Sequence, residues 1–155
     1  MPSFRVMPAR LAGAEVLVGK SGGFQVAVTT AGALILRLPM GAAGFRRRLR
    51  EWGCEVVPGR PGPVRRTLAH GTVFQLDVWR ACRRIPAGRT LTYGELARRI
   101  GCRSARAVGG ALGANPLAGL IPCHRVVAAD GPGGFAWGHA RKRRWLRAEV
   151  DGLAR

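Results

Sequence analysis

The apolar positions of this 155-residue chain change spacing near its middle. In the first part they come in short runs. Ala14–Gly19 is apolar, Phe24–Thr30 alternates with Phe24, Val26 and Val28 on one side, and Ala33–Leu38 is apolar up to Pro39. Glycine and threonine between the runs supply turn chemistry, so the pattern predicts an antiparallel meander. Residues 42–52 switch to helical spacing, with Phe45, Leu49 and Trp52 on one face and Gly53 as the stop. Cys54–Val57 reads as a returning strand. Residues 58–66 (PGRPGPVRR) have linker composition. They divide the chain into a strand-and-helix domain, 1–66, and a second domain, 67–155.

The second domain reads as helices. Thr72 followed by Gln75 is a capping-box pattern that opens a helix with Phe74, Val78, Cys82 and Ile85 at helical spacing, stopped by Pro86. Thr92 followed by Glu95 is a second capping box. It starts a short helix through Ile100, which Gly101 ends. Ser104 caps a third helix, ARAVGGALG. Two short helices joined by Gly-Cys-Arg form a helix-turn-helix pattern, which an ordinary helical hairpin also gives. Glycine costs a helix about 1 kcal/mol relative to alanine. The small residues Ala107, Gly109 and Gly110 therefore imply either tight helix packing or the close approach of a nucleic-acid backbone. Arg106 is the long side chain at the start of that helix.

Composition sharpens the picture. The chain is 47% hydrophobic, enough to bury a core, and carries 26 Lys and Arg against 8 Asp and Glu, a formal charge of +18. Phosphate neutralisation uses that asymmetry directly, so nucleic acid is the first partner to consider. Only Lys20 and Lys142 are lysines. A compositional bias accounts for the choice of arginine but not for the scarcity of acids. Apolar runs never reach 18 residues, which excludes a transmembrane helix. Arg5 and Arg10 are followed by an apolar stretch that Glu15 interrupts, unlike a signal peptide. Cys54, Cys82, Cys102 and Cys123 are scattered without a CxxC pair, so neither a zinc knuckle nor a disulfide framework is indicated. The expectation is a cytoplasmic protein without metal or cofactor.

Residues 115–127, NPLAGLIPCHRVV, place a cysteine beside a histidine. A buried structural cysteine is the ordinary reading of such a position. Neighbours in an extended chain point to opposite faces. Cys123 and His124 could therefore cooperate only through a bridging water or a turn.

At these residues a resemblance becomes specific. Ile121-Pro122-Cys123-His124-Arg125-Val126 resembles the active-site signature of the O6-alkylguanine-DNA alkyltransferases. Thr92-Tyr93-Gly94-Glu95-Leu96-Ala97 resembles the first helix of that family's helix-turn-helix, Arg106-Ala107-Val108-Gly109-Gly110-Ala111 its recognition helix, and Asn115-Pro116 its hinge. The likeness covers residues 71–152. Residues 1–66 match only in size and element order. The resemblance implies a mixed α/β fold: a ribonuclease-H-like N-terminal domain, then a helical winged helix-turn-helix domain. It implies repair of duplex DNA by a monomer. A methyl group would pass in one turnover from O6-methylguanine, or by the same chemistry from O4-methylthymine, to Cys123. The product is a thioether, which has no carbonyl for water to attack, so the thiol is not regenerated.

By the same resemblance a Cys–water–His–Glu relay activates the thiol. His124 is the base and Asn115 holds the turn. Counting from the family's tryptophan puts Val150 at the acid position. Counting from Lys142 puts Glu149 there, and only that count gives a carboxylate; Asp151 is the weaker alternative. Arg106 would fill the vacated base stack and Tyr93 would assist rotation and protonate the purine. Ala107, Gly109 and Gly110 would approach the backbone, and Arg125 would lie on the DNA side. The carbonyls of Cys123 and Val126 would receive the base. Phe135, Ala136 and Trp137 form the pocket loop, where the family usually has Gly-Tyr followed by small residues. Phe135 lacks the hydroxyl and Trp137 adds bulk, which favours methyl over benzyl groups. Rival readings are a non-catalytic alkyltransferase-like DNA-damage binder, which lacks the cysteine, a winged-helix regulator, and a cysteine hydrolase, for which no oxyanion motif is present.

Overall fold

The computed structural model describes residues 4–7, 11 and 13–153 and resolves into two compact units, Met1–Thr72 and Val73–Arg155. Arg10 lies outside the described residues. The division falls later than the linker composition suggested. The strand Arg66–His70, of which composition placed residues 67–70 beyond the boundary, belongs to the first unit's sheet.

In the first unit, β1 (Phe4–Met7), β2 (Glu15–Ser21), β3 (Phe24–Thr29), β4 (Ala33–Leu38), α1 (Ala42–Glu51), β5 (Glu55–Val56) and β6 (Arg66–His70) follow in order. The six strands form one sheet in the order β1-β6-β4-β3-β2-β5. β2, β3 and β4 are the expected antiparallel meander. Gly22 and Gly23, with φ of +54° and +79°, make a two-residue turn closed by the Ser21–Phe24 pair. Two consecutive positive φ values match the right-handed twist of the strands. The meander is extended by parallel pairing of β6 to both β4 and β1, and of β5 to β2. Simple alternation fails in β3: Val26, Ala27 and Val28 are all buried, so both faces of this central strand are covered. Phe24 instead carries the Arg37 guanidinium 3.5 Å above its ring. In α1, Phe45 and Leu49 are fully buried, as the helical spacing required.

The second unit contains α2 (Val73–Arg83), β7 (Leu91–Thr92), α3 (Tyr93–Arg99), α4 (Ala105–Gly113), a 3-10 turn (Cys123–Arg125), β8 (Val126–Val127) and α5 (His139–Leu153). Leu76, Val78, Trp79 and Cys82 of α2 are buried, and Ile85 just beyond it. Phe74, expected on this face, is 37% exposed, so the buried stripe is carried by Leu76 and Trp79 instead. The Trp79 indole donates to the Ala111 carbonyl at 2.8 Å and ties α2 to α4.

The helix-turn-helix ends where its local signals say. Thr92 Oγ1 accepts from the Glu95 amide at 3.1 Å while Glu95 accepts from the Thr92 amide at 2.7 Å, a complete capping box. At the other end Gly101 (φ +70°) turns the chain, and the amides of Cys102 and Gly101 donate back to Ala97 and Arg98. That is the glycine C-cap that releases a helix into a tight turn. Ser104 caps α4 through the Ala107 amide. β7 pairs in parallel with β8, Leu91 opposite Val126 and Thr92 opposite Val127. This short ladder fixes the start of α3 beside the Cys-His-Arg turn.

Candidate active site

The local chain path decides how Cys123 and His124 are presented. Pro122 has φ −81° and ψ +61°, and the Cys123 amide donates to the Ile121 carbonyl at 2.8 Å. This is an inverse γ-turn. A 3-10 turn follows at once, with the Arg125 amide on the Pro122 carbonyl. The segment is thus a turn, not an extended strand. Asn115 holds it. Its Nδ2 donates to the Ile121 carbonyl at 2.9 Å and to Cys123 Sγ at 3.2 Å, while its Oδ1 accepts from the Leu117 amide at 2.8 Å. The side-chain amide has no alternative orientation, because a flip would set Oδ1 against the Ile121 carbonyl.

Cys123 is buried, and burial pushes its thiol upward; the Asn115 hydrogen bond, the local backbone amides and the Lys142 charge pull the other way. His124 Nε2 lies 2.6 Å from Glu149 Oε1. Glu149 also accepts from Arg125, with contacts of 2.8–3.0 Å, and from the Gly88 amide at 3.1 Å. Burial works against its ionisation, but the hydrogen bonds from Arg125, His124 and Gly88 prevail and bring it to about 2. An ionised carboxylate only accepts, so the neutral imidazole carries its proton on Nε2. Its Nδ1 is then a buried lone pair without a protein partner among the described residues. Burial lowers His124 below its ordinary value, with Glu149 opposing that shift.

Lys142 is wholly buried. Its Nζ donates to the Val126 carbonyl at 2.6 Å and to the Gly134 carbonyl at 3.1 Å. Burial lowers it to about 8, with Cys123 nearby opposing. The Tyr93 hydroxyl donates to the same Gly134 carbonyl at 2.9 Å. Gly133 has φ +67°, and a Cβ there would meet Tyr93 Cε2 at 2.7 Å and the Ala128 nitrogen at 2.8 Å. Only glycine lets the loop pass beneath the tyrosine ring. The residues frame an open cleft of about 860 Å³, lined among others by Tyr93, Arg106, Gly109, Cys123, Phe135 and Ala136.

The model of the family described as 6-O-methylguanine DNA methyltransferase, DNA binding domain, matches residues 73–151. The chain belongs to this family. The methylated-DNA–protein-cysteine methyltransferase of Salmonella typhimurium is 48% identical over 85 residues, 54% of this chain and 50% of that protein. The bifunctional transcriptional activator/DNA repair enzyme Ada of Escherichia coli is 51% identical over 83 residues, 52% of this chain and 23% of that protein. The chain therefore spans about half, or less, of the length of these curated relatives. Mycobacterium tuberculosis O6-methylguanine methyltransferase is similar in structure at a TM-score of 0.69 and 30% identity, covering 89% of this chain and 93% of that one. The same organism's OGT in complex with DNA gives 0.68 and 30%, covering 88% and 93%.

For this member of the methyltransferase family, the sequence-derived residues fall into three groups. Cys123, His124, Glu149 and Asn115 come together, and Glu149 rather than Asp151 meets the histidine. Tyr93, Arg106, Gly109, Phe135 and Ala136 line the cleft, whereas Ala107 and Gly110 are exposed on α4 outside that lining. Arg125 is turned elsewhere: its guanidinium is committed to Glu149 and, at 2.6 Å, to the Ile85 carbonyl. The Val126 carbonyl already receives Lys142, which leaves one lone pair. Trp137 is half-buried and outside the cleft lining. Sequence reasoning used Lys142 only as a ruler and missed its role as the tie between two loops. Among the described residues, no helix is long and apolar enough to cross a membrane.

Proposed function

We propose that this chain repairs alkylated duplex DNA by moving a methyl group from guanine O6 to Cys123, once per molecule. The observation that carries the reading is the floor of the cleft. There a buried thiol receives an N–H from Asn115, beside a histidine whose Nε2 is committed to Glu149. The thiol proton passes to His124 Nδ1, through a water as the family resemblance implies. The imidazolium that forms faces the ionised Glu149, which stabilises it as the third member of a triad does. Sγ attacks the methyl carbon in line, the C–O bonding pair stays on O6, and the purine takes a proton from the Tyr93 hydroxyl, which His124 makes good through solvent. Because burial opposes a free thiolate, deprotonation and attack are coupled to an occupied cleft.

The lesion reaches Sγ only outside the base stack, at a cost of roughly a few kcal/mol that is smaller for a poorly paired base. Arg106 is exposed at the cleft and enters the vacated stack. The glycines of α4 support close approach of the phosphate backbone. A Cβ at Gly110 or Gly113 would meet nothing within 4 Å, and one at Gly109 only ordinary contact with Tyr93 at 3.8 Å, so internal packing does not demand them. The protein works as a cytoplasmic monomer. Intact-mass measurement after mixing with a duplex containing O6-methylguanine tests the reading. One methyl group per chain, mapped to Cys123, is expected. Tight binding without an adduct under reducing conditions would replace it with a damage-binding protein.

A further inference from the structure

We propose that Trp145 is a positioning residue that holds the His124 ring and the Phe135 wall of the cleft together, so that one side chain sets both the transfer rate and the alkyl group accepted. The inference rests on Cys123 being the alkyl acceptor.

Three observations carry it. The Trp145 and His124 rings lie 5.2 Å apart between centroids at 83°, and the Trp145 and Phe135 rings 5.7 Å apart at 76°. Both are edge-to-face pairs inside the attractive range for aromatic rings. Second, Lys142, Trp145 and Glu149 follow one another along one face of α5 at three- and four-residue steps. A single rigid helix thus supplies the carboxylate on Nε2, the ring packed against the imidazole and the ammonium on the Val126 carbonyl. Third, the Glu149 hydrogen bond fixes only Nε2 and leaves the imidazole plane free to pivot. The perpendicular indole removes that freedom and so decides where Nδ1 points. Phe135, the second ring that the indole meets, lines the cleft with Cys123. A shift of Trp145 moves the base and the wall at once.

The charged and titratable groups around His124 are Glu149 and Lys142 from α5 and Arg125 beside it. Cys123 precedes it on the same turn, and Cys82 of α2 is close enough to feel the Cys123 charge. None of these groups is itself substituted when Trp145 is replaced, so the His124 titration reads the loss of the indole beside it. In W145A, water reaches the imidazole and relieves the burial that lowers it.

The test is single-turnover transfer across pH from duplexes carrying O6-methylguanine or O6-benzylguanine, for wild type, W145F, W145L and W145A. For W145A and W145L, methyl transfer is expected to fall about threefold to tenfold, the worth of one edge-to-face pair. The acid limb of the profile should move to higher pH and the benzyl-to-methyl ratio should rise. W145F, which keeps an aromatic edge, should recover most of the rate, and DNA affinity should be unchanged in all three. An unmoved acid limb, or a loss that phenylalanine does not repair, overturns the proposal. Failure of the wild type itself to become methylated would overturn the transfer reading instead.

Discussion

Replacing Glu149 with glutamine removes one charge at the point where three elements meet. The carboxylate accepts from His124 Nε2, Arg125 and the Gly88 amide. These bonds hold it at about 2 against an ordinary 4.5, which at 1.36 kcal/mol per pH unit is about 3 kcal/mol of folding free energy. The sign is that of a depressed carboxyl. The contribution is complete above pH 4.5 and disappears as the pH falls toward 2. E149Q has no such contribution. Urea unfolding should therefore find E149Q about 3 kcal/mol less stable than wild type at pH 7, with the gap closing between pH 4.5 and 2. Transfer should slow about tenfold to a hundredfold, because a charge-assisted hydrogen bond to the imidazolium is worth roughly 1.5–3 kcal/mol. D151N, at an exposed position, should stay within about 0.5 kcal/mol of wild type and transfer normally. A gap that persists unchanged from pH 7 to 3, or a transfer rate within twofold of wild type, would refute the role given to Glu149.

Two further variants probe the groups around the cleft. G110A should stabilise α4 by about 1 kcal/mol, since its Cβ meets open space, yet weaken binding to duplex DNA. Unchanged affinity in a titration with labelled duplex would remove the argument for close backbone approach. Lys142, held at about 8 against an ordinary 10.5, binds its proton less tightly in the folded chain than in the unfolded one. Wild type should therefore gain stability relative to K142M as the pH rises from 8 to 10.5, a trend that urea unfolding across that window will show or exclude.

What the sequence determined by itself was local. The capping box at Thr92–Glu95, the Gly101 stop, the Ser104 cap, the helix at 42–51 and the β2–β4 meander all stand where their residues said. Each depends on hydrogen bonds or turn preferences spanning a few residues, which spacing records. The Cys-His-Arg run likewise announced its family, because the signature is contiguous. Tertiary structure decided the rest. Periodicity cannot foresee that β6 pairs in parallel with β1 and β4, because the partners lie up to some sixty residues away. Counting gave two registers for the acid and favoured Glu149 because only that count lands on a carboxylate. That Glu149 meets His124 is decided by how α5 docks, since which side of a helix faces the imidazole is fixed by packing and not by register in the chain. The same docking gave Lys142 and Trp145 their places, and it turned Arg125 from the DNA side to the carboxylate. A charge or ring acquires its function from what faces it, and that is settled across the fold.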